Sequence, residues 1–199
     1  MQTPGRKGLA VTDRGSHLRL WLTVGLGVAL DLVSKYVAWT LLRGPPDEGG
    51  RTVSAIPGWL QFVASRNPGI VFGFSFADSM GPAAGRAVTI ALTLLTSALI
   101  FYVFASSLPR QRWVHFWCGL ILAGALGNLY DRLIFGYVRV LIQITAAFHV
   151  AGFAVDWPYI FNVADVYLVI GVIAVAGTFL FGPKSGRQGQ EARQTGKES

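Results

Sequence analysis

One cysteine is all that 199 residues contain, so an intramolecular disulfide is excluded and the fold must stand on packing and hydrogen bonding. Cys118 lies inside an apolar run between Trp117 and Gly119, without the electropositive neighbours that a reactive thiolate needs, so it is not read as a nucleophile. Histidine is almost as scarce. His17, His115 and His149 share no metal-ligand spacing, and neither a metal site nor a cofactor is expected. Charge is the third shortage: 14% of residues are charged against 52% hydrophobic, a balance that excludes an ordinary soluble domain. Acids are scarcer still, ten against seventeen Lys and Arg, for a net charge of +7. Nucleic-acid binding does not follow from that excess. Arg6, Lys7, Arg14, Arg19, Arg110, Arg112, Lys184, Arg187, Arg193 and Lys197 flank apolar runs, which is how membrane topology signals are placed.

Four long apolar runs are present, at 18–42, 87–108, 113–134 and 159–181, each near the roughly 20 residues that a bilayer-crossing helix needs. The fold class they predict is an all-α integral membrane protein, four transmembrane helices with a small extracytoplasmic β-cradle. Residues 1–17 and 183–199 are polar and basic and are expected as disordered cytoplasmic arms around a membrane domain at 18–182. The first run has no convincing cleavage site before Asp31 and reads as an uncleaved signal anchor. Gly44-Pro45-Pro46, Gly49-Gly50, Pro57-Gly58 and Gly81-Pro82 make 43–85 an extramembrane loop. Within it, 51–56 and 59–64 flank Pro57-Gly58 as a short strand pair, and 67–74 is an apolar cradle lying on the membrane. Ala123 and Gly127, one turn apart, allow close helix approach. Residues 135–157 form a second loop skimming the interface, and Pro158 opens the fourth run at a position suited to a helix start. No internal repeat is found. Basic residues at both termini and at Pro109 put the termini in the cytoplasm. The third run then travels outward and the fourth inward, so Asp131 and Asp165 reach similar depth on the outer side.

Ionisable groups at such positions are functional candidates. Helical spacing sets Asn128 beside Asp131 and Asn162 beside Asp165. Either aspartate alone fits an interfacial residue pointing into water; two Asn-Asp pairs converging by topology fit carboxylate chemistry better. Two close aspartates in a site of low polarity share one proton, so one can take a proton from water while the other donates to a carbonyl oxygen. The helix dipoles favour Asp165 as carboxylate and Asp131 as resting acid. Asn128, Asn162 and Arg132 would orient these groups or polarise a substrate carbonyl, with an interfacial anchor as the other role for Arg132. Asp31 and Lys35, acid before base at four apart, are a structural pair with Lys35 reaching to the interface, or part of the polar site.

Four ordered blocks, Asp31-Leu32-Val33-Ser34-Lys35, Asn67-Pro68-Gly69-Ile70-Val71-Phe72-Gly73, Gly127-Asn128-Leu129-Tyr130-Asp131-Arg132 and Phe161-Asn162-Val163-Ala164-Asp165, resemble the lipoprotein signal peptidase family (signal peptidase II). The resemblance covers most of 31–175. It implies an aspartic endopeptidase of the bacterial inner membrane that cuts a prolipoprotein before its diacylglyceryl-modified cysteine, on the periplasmic side. On the same basis Asp131 and Asp165 match a catalytic dyad. Asn67, Gly69, Asn128, Arg132, Asn162 and Ala164 match positions around dyad and substrate, and Asp31 and Lys35 a first-helix motif. The implied partners are lipidated prolipoproteins and membrane lipids, with no nucleic acid, and the implied state is a monomer. The sequence departs from the family pattern at Leu32, where Gln is usual, and at Ile70-Val71, where small residues are common. It departs again at Arg139-Val140-Leu141, where a Val-Asp-Phe-like stretch often follows Gly136-Tyr137-Val138.

Two other classes compete. A proton-coupled transporter would use Asp31, Lys35, Asp131 and Asp165 as a relay, but four spans lack the repeated broken helices of such folds. Another type of intramembrane aspartyl protease fits Tyr130-Asp131, yet Val163-Ala164-Asp165 lacks the Gly-x-Gly-Asp that its second motif requires. A lipid-binding scaffold without catalysis is the remaining reading.

Overall fold

In a computed structural model that describes residues 9–44, 51–67, 80–146, 148–150, 153–155 and 160–181, four helices carry the chain back and forth: α1 (Arg14–Leu42), α2 (Pro82–Ser106), α3 (Arg112–Ile134) and α4 (Val163–Phe181). All four are long and apolar enough to cross a membrane. They alternate in direction, so the end of α1, the start of α2, the end of α3 and the start of α4 meet at one end of the bundle. There sits an antiparallel sheet in the order β1 (Thr52–Ile56), β2 (Leu60–Asn67), β3 (Val138–Ile144), β6 (Ile160–Phe161), with β4 (Phe148–Val150) and β5 (Phe153–Val155) as a separate hairpin. The expected class, four spans with a small β-cradle, is the observed one.

α3 is the hub. In its apolar stretch 67% of residues are buried, against 28% in α1, 17% in α4 and 11% in α2. Leu18, Leu22, Leu26, Leu30, Val33 and Leu41 leave one side of α1 exposed, which suits lipid contact. Because lipid tails are as apolar as these side chains, packing and hydrogen bonds rather than hydrophobic burial hold the helices together. Small residues on α3 make the close approach possible. A methyl group at Gly127 would collide with the Asp31 carboxylate, and one at Gly124 would lie 2.5 Å from the carbonyl oxygen of Ala164. These two positions seat α1 and α4 against α3.

Several boundaries differ from those expected. Of the arm 1–17, residues from Leu9 onward are structured: Ala10–Thr12 is a 3-10 turn, and Asp13 caps α1 by accepting from the Ser16 amide at 2.7 Å. A charged N-cap extends a helix beyond the point at which hydropathy stops. The second span begins at Pro82, five residues before the apolar run. The fourth begins at Val163, not near Pro158, because Ile160–Phe161 pairs with Ile142 and Gln143 as an edge strand. Asp165 therefore lies in the first turn of its helix, which starts five residues after Pro158. The strand pair expected at 51–56 and 59–64 forms, with Thr52 opposite Val63. Residues 138–144 are not an interfacial skim. They form the central strand β3, paired to β2 from Leu60↔Ile144 to Asn67↔Val138 and fastened by a Gln61 to Gln143 side-chain bond of 2.7 Å. Residues 1–8, 183–199 and the 68–74 part of the apolar cradle lie outside the described residues.

Candidate active site

Sequence order explains how the polar groups meet. Asp31 and Lys35 lie one turn apart on α1, Asn128 and Asp131 one turn apart near the end of α3, and Asn162 and Asp165 at the start of α4. The last pair forms a reciprocal cap. The Asp165 amide donates to Asn162 Oδ1 at 2.9 Å, and the Asn162 amide donates back to Asp165 Oδ2 at 3.0 Å, the logic of a capping box with Asn and Asp in place of Ser and Glu.

Both asparagines also bridge elements, and Asn128 serves the aspartate of the neighbouring helix instead of its own. Asn128 Nδ2 donates across to Asp165 Oδ1 at 2.8 Å, and Asn128 Oδ1 accepts from Lys35 Nζ and from Asn162 Nδ2, both at 3.0 Å. Lys35 can only donate, so the orientation of the Asn128 amide is determined. Asn162 Nδ2 also donates to the carbonyl of Arg139 on β3 at 3.1 Å. Three elements thereby converge on Asp165, whose carboxylate accepts from the amides of Asn128 and Asn162 among the described residues and which is the one aspartate of the site that is partly exposed.

Around Asp131 the arrangement is ionic. Arg139 grips it twice, donating from Nη2 at 2.7 Å and Nε at 3.2 Å to Oδ1, while its main-chain amide donates to Oδ2 at 2.9 Å. Lys35 Nζ stands 2.7 Å from Asp31 Oδ2 and 3.4 Å from Asp131 Oδ2. Asp31 Oδ1 accepts the Ala164 amide at 3.0 Å, which pins α1 to the first turn of α4. Asp31, Lys35 and Asp131 are fully buried, and Arg139 nearly so. Burying an ion costs several kcal/mol, so two acids matched by two bases is the arrangement that such depth tolerates.

Of the residues singled out from sequence, Asp31, Lys35, Asn128, Asp131, Asn162, Ala164 and Asp165 come together. Lys35 does not reach toward the interface; it is a core residue linking α1 to α3. Arg132 is buried at 7% exposure, and its charge acts on both Asp131 and Asp165, so it belongs to the site rather than to the interface. Asn67 ends β2 opposite Val138, one residue before Arg139. Gly69 lies outside the described residues. No hydrogen bond joins Asp131 to Asp165 among the described residues; Lys35, which faces Asp131 and donates to Asn128, links the two through the Asn128 side chain. Sequence reasoning missed Arg139. Its only signal was that it stands in the stretch where the chain departs from the family pattern. No group of three or more metal-ligating side chains occurs among the described residues.

Comparison with known proteins gives this geometry a family. The profile described as Signal peptidase (SPase) II matches residues 23–181. A lipoprotein signal peptidase of Psychromonas ingrahamii is 32% identical over 156 residues, 77% of this chain and 79% of the relative. Another, from Teredinibacter turnerae, is 34% identical over 171 residues, 85% and 92% of the two chains. A bacterial membrane enzyme solved by the in meso method at 2.3 Å resolution superposes with a TM-score of 0.67 at 26% identity, covering 84% of this chain and 91% of its own. None of these matches supports a transporter. Four spans, a sheet at one end and the profile match over nearly the whole of the described chain lead to one assignment: this protein belongs to the signal peptidase II family of membrane peptidases.

Proposed function

We propose that this chain is an aspartic endopeptidase that removes the signal peptide of prolipoproteins, cutting before the diacylglyceryl-modified cysteine, with Asp131 and Asp165 as its aspartic pair. The observation that carries the reading is Asp165, a partly exposed carboxylate at the rim of an otherwise sealed charge network, held by Asn128 and Asn162. Neutral donors leave such a group free to take up a proton. Asp165 takes the proton of a water as its oxygen bonds to the scissile carbonyl carbon. The same proton passes to the leaving nitrogen as the C–N bond breaks, giving a new carboxyl group on the signal peptide and a free amine on the lipidated cysteine. Arg132, Asn128 and Asn162 orient these groups, Asn67 and Gly69 place the substrate, and the acyl chains lie between helices toward lipid.

The active site faces the periplasmic side of the inner membrane, with both termini in the cytoplasm. Supporting this, the bundle end opposite the sheet carries Arg14, Arg19, Arg110 and Arg112, the excess expected of a cytoplasmic end. The chain works as a monomer and needs no cofactor.

The test is cleavage of a diacylglyceryl-modified prolipoprotein peptide by the full chain in lipid vesicles. Asp165→Asn and Asp131→Asn each abolish turnover while the protein stays folded, and Asn67→Ala lowers it partially. Retained turnover in either aspartate variant removes the dyad.

A further inference from the structure

The corner that joins α3 to β3 carries cations that the sealed network does not use. α3 ends at Ile134 and β3 begins at Val138, and Gly136 turns the chain between them with a φ of 83°, a conformation that glycine adopts without strain. Just before the corner, Leu133 and Ile134 are 52% and 60% exposed, where the helix leaves its apolar stretch. Phe135 and Tyr137 follow with ring centroids 6.2 Å apart, and Trp39 of α1 stands 6.0 Å from Tyr137. Tyrosine and tryptophan in such a row mark the headgroup level of a bilayer.

Two guanidinium groups flank this row from different elements. Arg66 of β2 lies 5.0 Å over the Tyr137 ring. Arg86 of α2 donates from Nη2 to the Leu133 carbonyl at 3.4 Å, and its Nη1 is 3.3 Å from the place a methyl group on Gly136 would take. Both arginines are exposed. Among the described residues the ion pairs are made by Arg19, Lys35 and Arg139, and neither Arg66 nor Arg86 meets an acid. A ring face or a single carbonyl leaves most of the five guanidinium N–H donors unspent, and their planar fork suits a phosphate.

We propose that this corner binds the headgroup of an anionic glycerophospholipid, with Arg66 and Arg86 closing on the phosphate from two sides and the acyl chains running past Leu133 and Ile134. The sequence of exposed aliphatic side chains, interfacial rings and unmatched arginines follows that of acyl chain, glycerol and phosphate in such a lipid. An acidic peptide would meet the arginines and have no use for the aliphatic pair. A neutral diacylglyceryl group would fit the aliphatic pair and give the arginines no charge. The site therefore goes beyond the hydrolytic reading and does not depend on it.

The test places the full chain in phosphatidylcholine vesicles with a minor share of phosphatidylglycerol carrying a photoreactive acyl chain, and maps the adducts by mass spectrometry. The expected result is labelling within 130–137 that exceeds the labelling by a matching phosphatidylcholine probe, is displaced by unlabelled phosphatidylglycerol and falls as salt is raised. Arg66→Gln and Arg86→Gln each lower labelling of that segment about fivefold, the weight of one arginine near an anionic surface, while adducts near Trp21 at the other end of the bundle are unchanged. Arg66→Lys recovers most of the loss. Equal labelling by the two probes, or labelling unchanged in both glutamine variants, overturns the proposal. So does displacement by diacylglycerol or by a soluble acidic peptide as strong as that by phosphatidylglycerol. If one variant does not fold, the other and the salt dependence of the wild type decide. Loss of prolipoprotein cleavage with this labelling intact fails the hydrolytic reading alone.

Discussion

The bundle has a polar cluster at each end, and the two are built by opposite means. At the end away from the sheet, Asp13 accepts from the amide and hydroxyl of Ser16 at 2.7 and 2.6 Å, and Arg19 lies 3.7 Å from Asp13 with both side chains about a third exposed. Arg19 also donates to the carbonyl of Pro109 at 3.0 Å and to His115 Nδ1 at 3.4 Å. His115 must then carry its hydrogen on Nε2, toward Ser107 Oγ at 3.0 Å, while the Ser107 hydroxyl donates to Phe104 at 2.7 Å. An acid, a histidine and a serine stand in one cluster here without catalytic capacity, because the serine hydrogen is already committed and the imidazole faces a cation instead of an acid. The contacts that cap α1, from Ser16 and Arg19 to Asp13, are local and partly exposed, while Arg19 also ties α1 to Pro109 and His115, 90 and 96 residues along the chain. At the sheet end the partners are 93 residues apart for Lys35 and Asn128 and 133 for Asp31 and Ala164, and the charges are sealed. Local, wet polar contacts set where a helix begins. Distant, dry ones set which helices touch and what chemistry remains.

The contrast can be broken most severely at Lys35. Lys35→Met leaves Asp31 and Asp131 buried without their shared cation and should cost about 3–5 kcal/mol of stability, measured by unfolding in lipid or detergent. Pairing it with Asp31→Asn should recover part of that loss; full retention of stability in the single variant would mean that the cluster is hydrated. The close helix contacts come next. Gly124→Ala or Gly127→Ala forces the neighbouring helix away and should cost about 1–3 kcal/mol. Gly25→Ala, at a position with nothing within 4 Å, should instead stabilise α1 by up to about 1 kcal/mol. Opposite signs from the same substitution would sharpen the distinction between packed and lipid-facing sides.

The smallest effect belongs to the exposed cap. The hydroxyl and then the amide of Ser16 hold Asp13 below its ordinary carboxylate value. A depressed value means that the cap's contribution is complete above the unfolded pKa and is lost as pH falls through the folded one. Faster exchange of the Ser16 amide on acidification, absent in Asp13→Asn, checks the sign.

How much of this was legible beforehand follows from the same contrast. The four spans, the strand pair at the 51–67 hairpin and the meeting of Asp131 with Asp165's neighbourhood were readable, because hydropathy, turn residues and alternating direction are local or topological signals. Helix starts were less so: Asp13 and Asn162 begin their helices by side-chain hydrogen bonds, and Ile160–Phe161 is a strand only because β3 lies beside it. Spacing alone paired Asn128 with Asp131, yet across the bundle Asn128 serves Asp165 and Lys35. Arg139 was visible only as a residue out of pattern, since nothing near it in the chain reveals that a β-strand will carry it against α3.

What the sequence determined by itself was the four long apolar helices, their alternation along the chain and the set of polar residues that share one end of the bundle, because length and apolarity are local properties that need no partner. The tertiary structure alone decided how those charges were divided. A carboxylate inside the bundle takes whatever donors the packed helices and sheet bring to it: among the described residues Arg139 and Lys35 stand against Asp131, and the amides of Asn128 and Asn162 against Asp165.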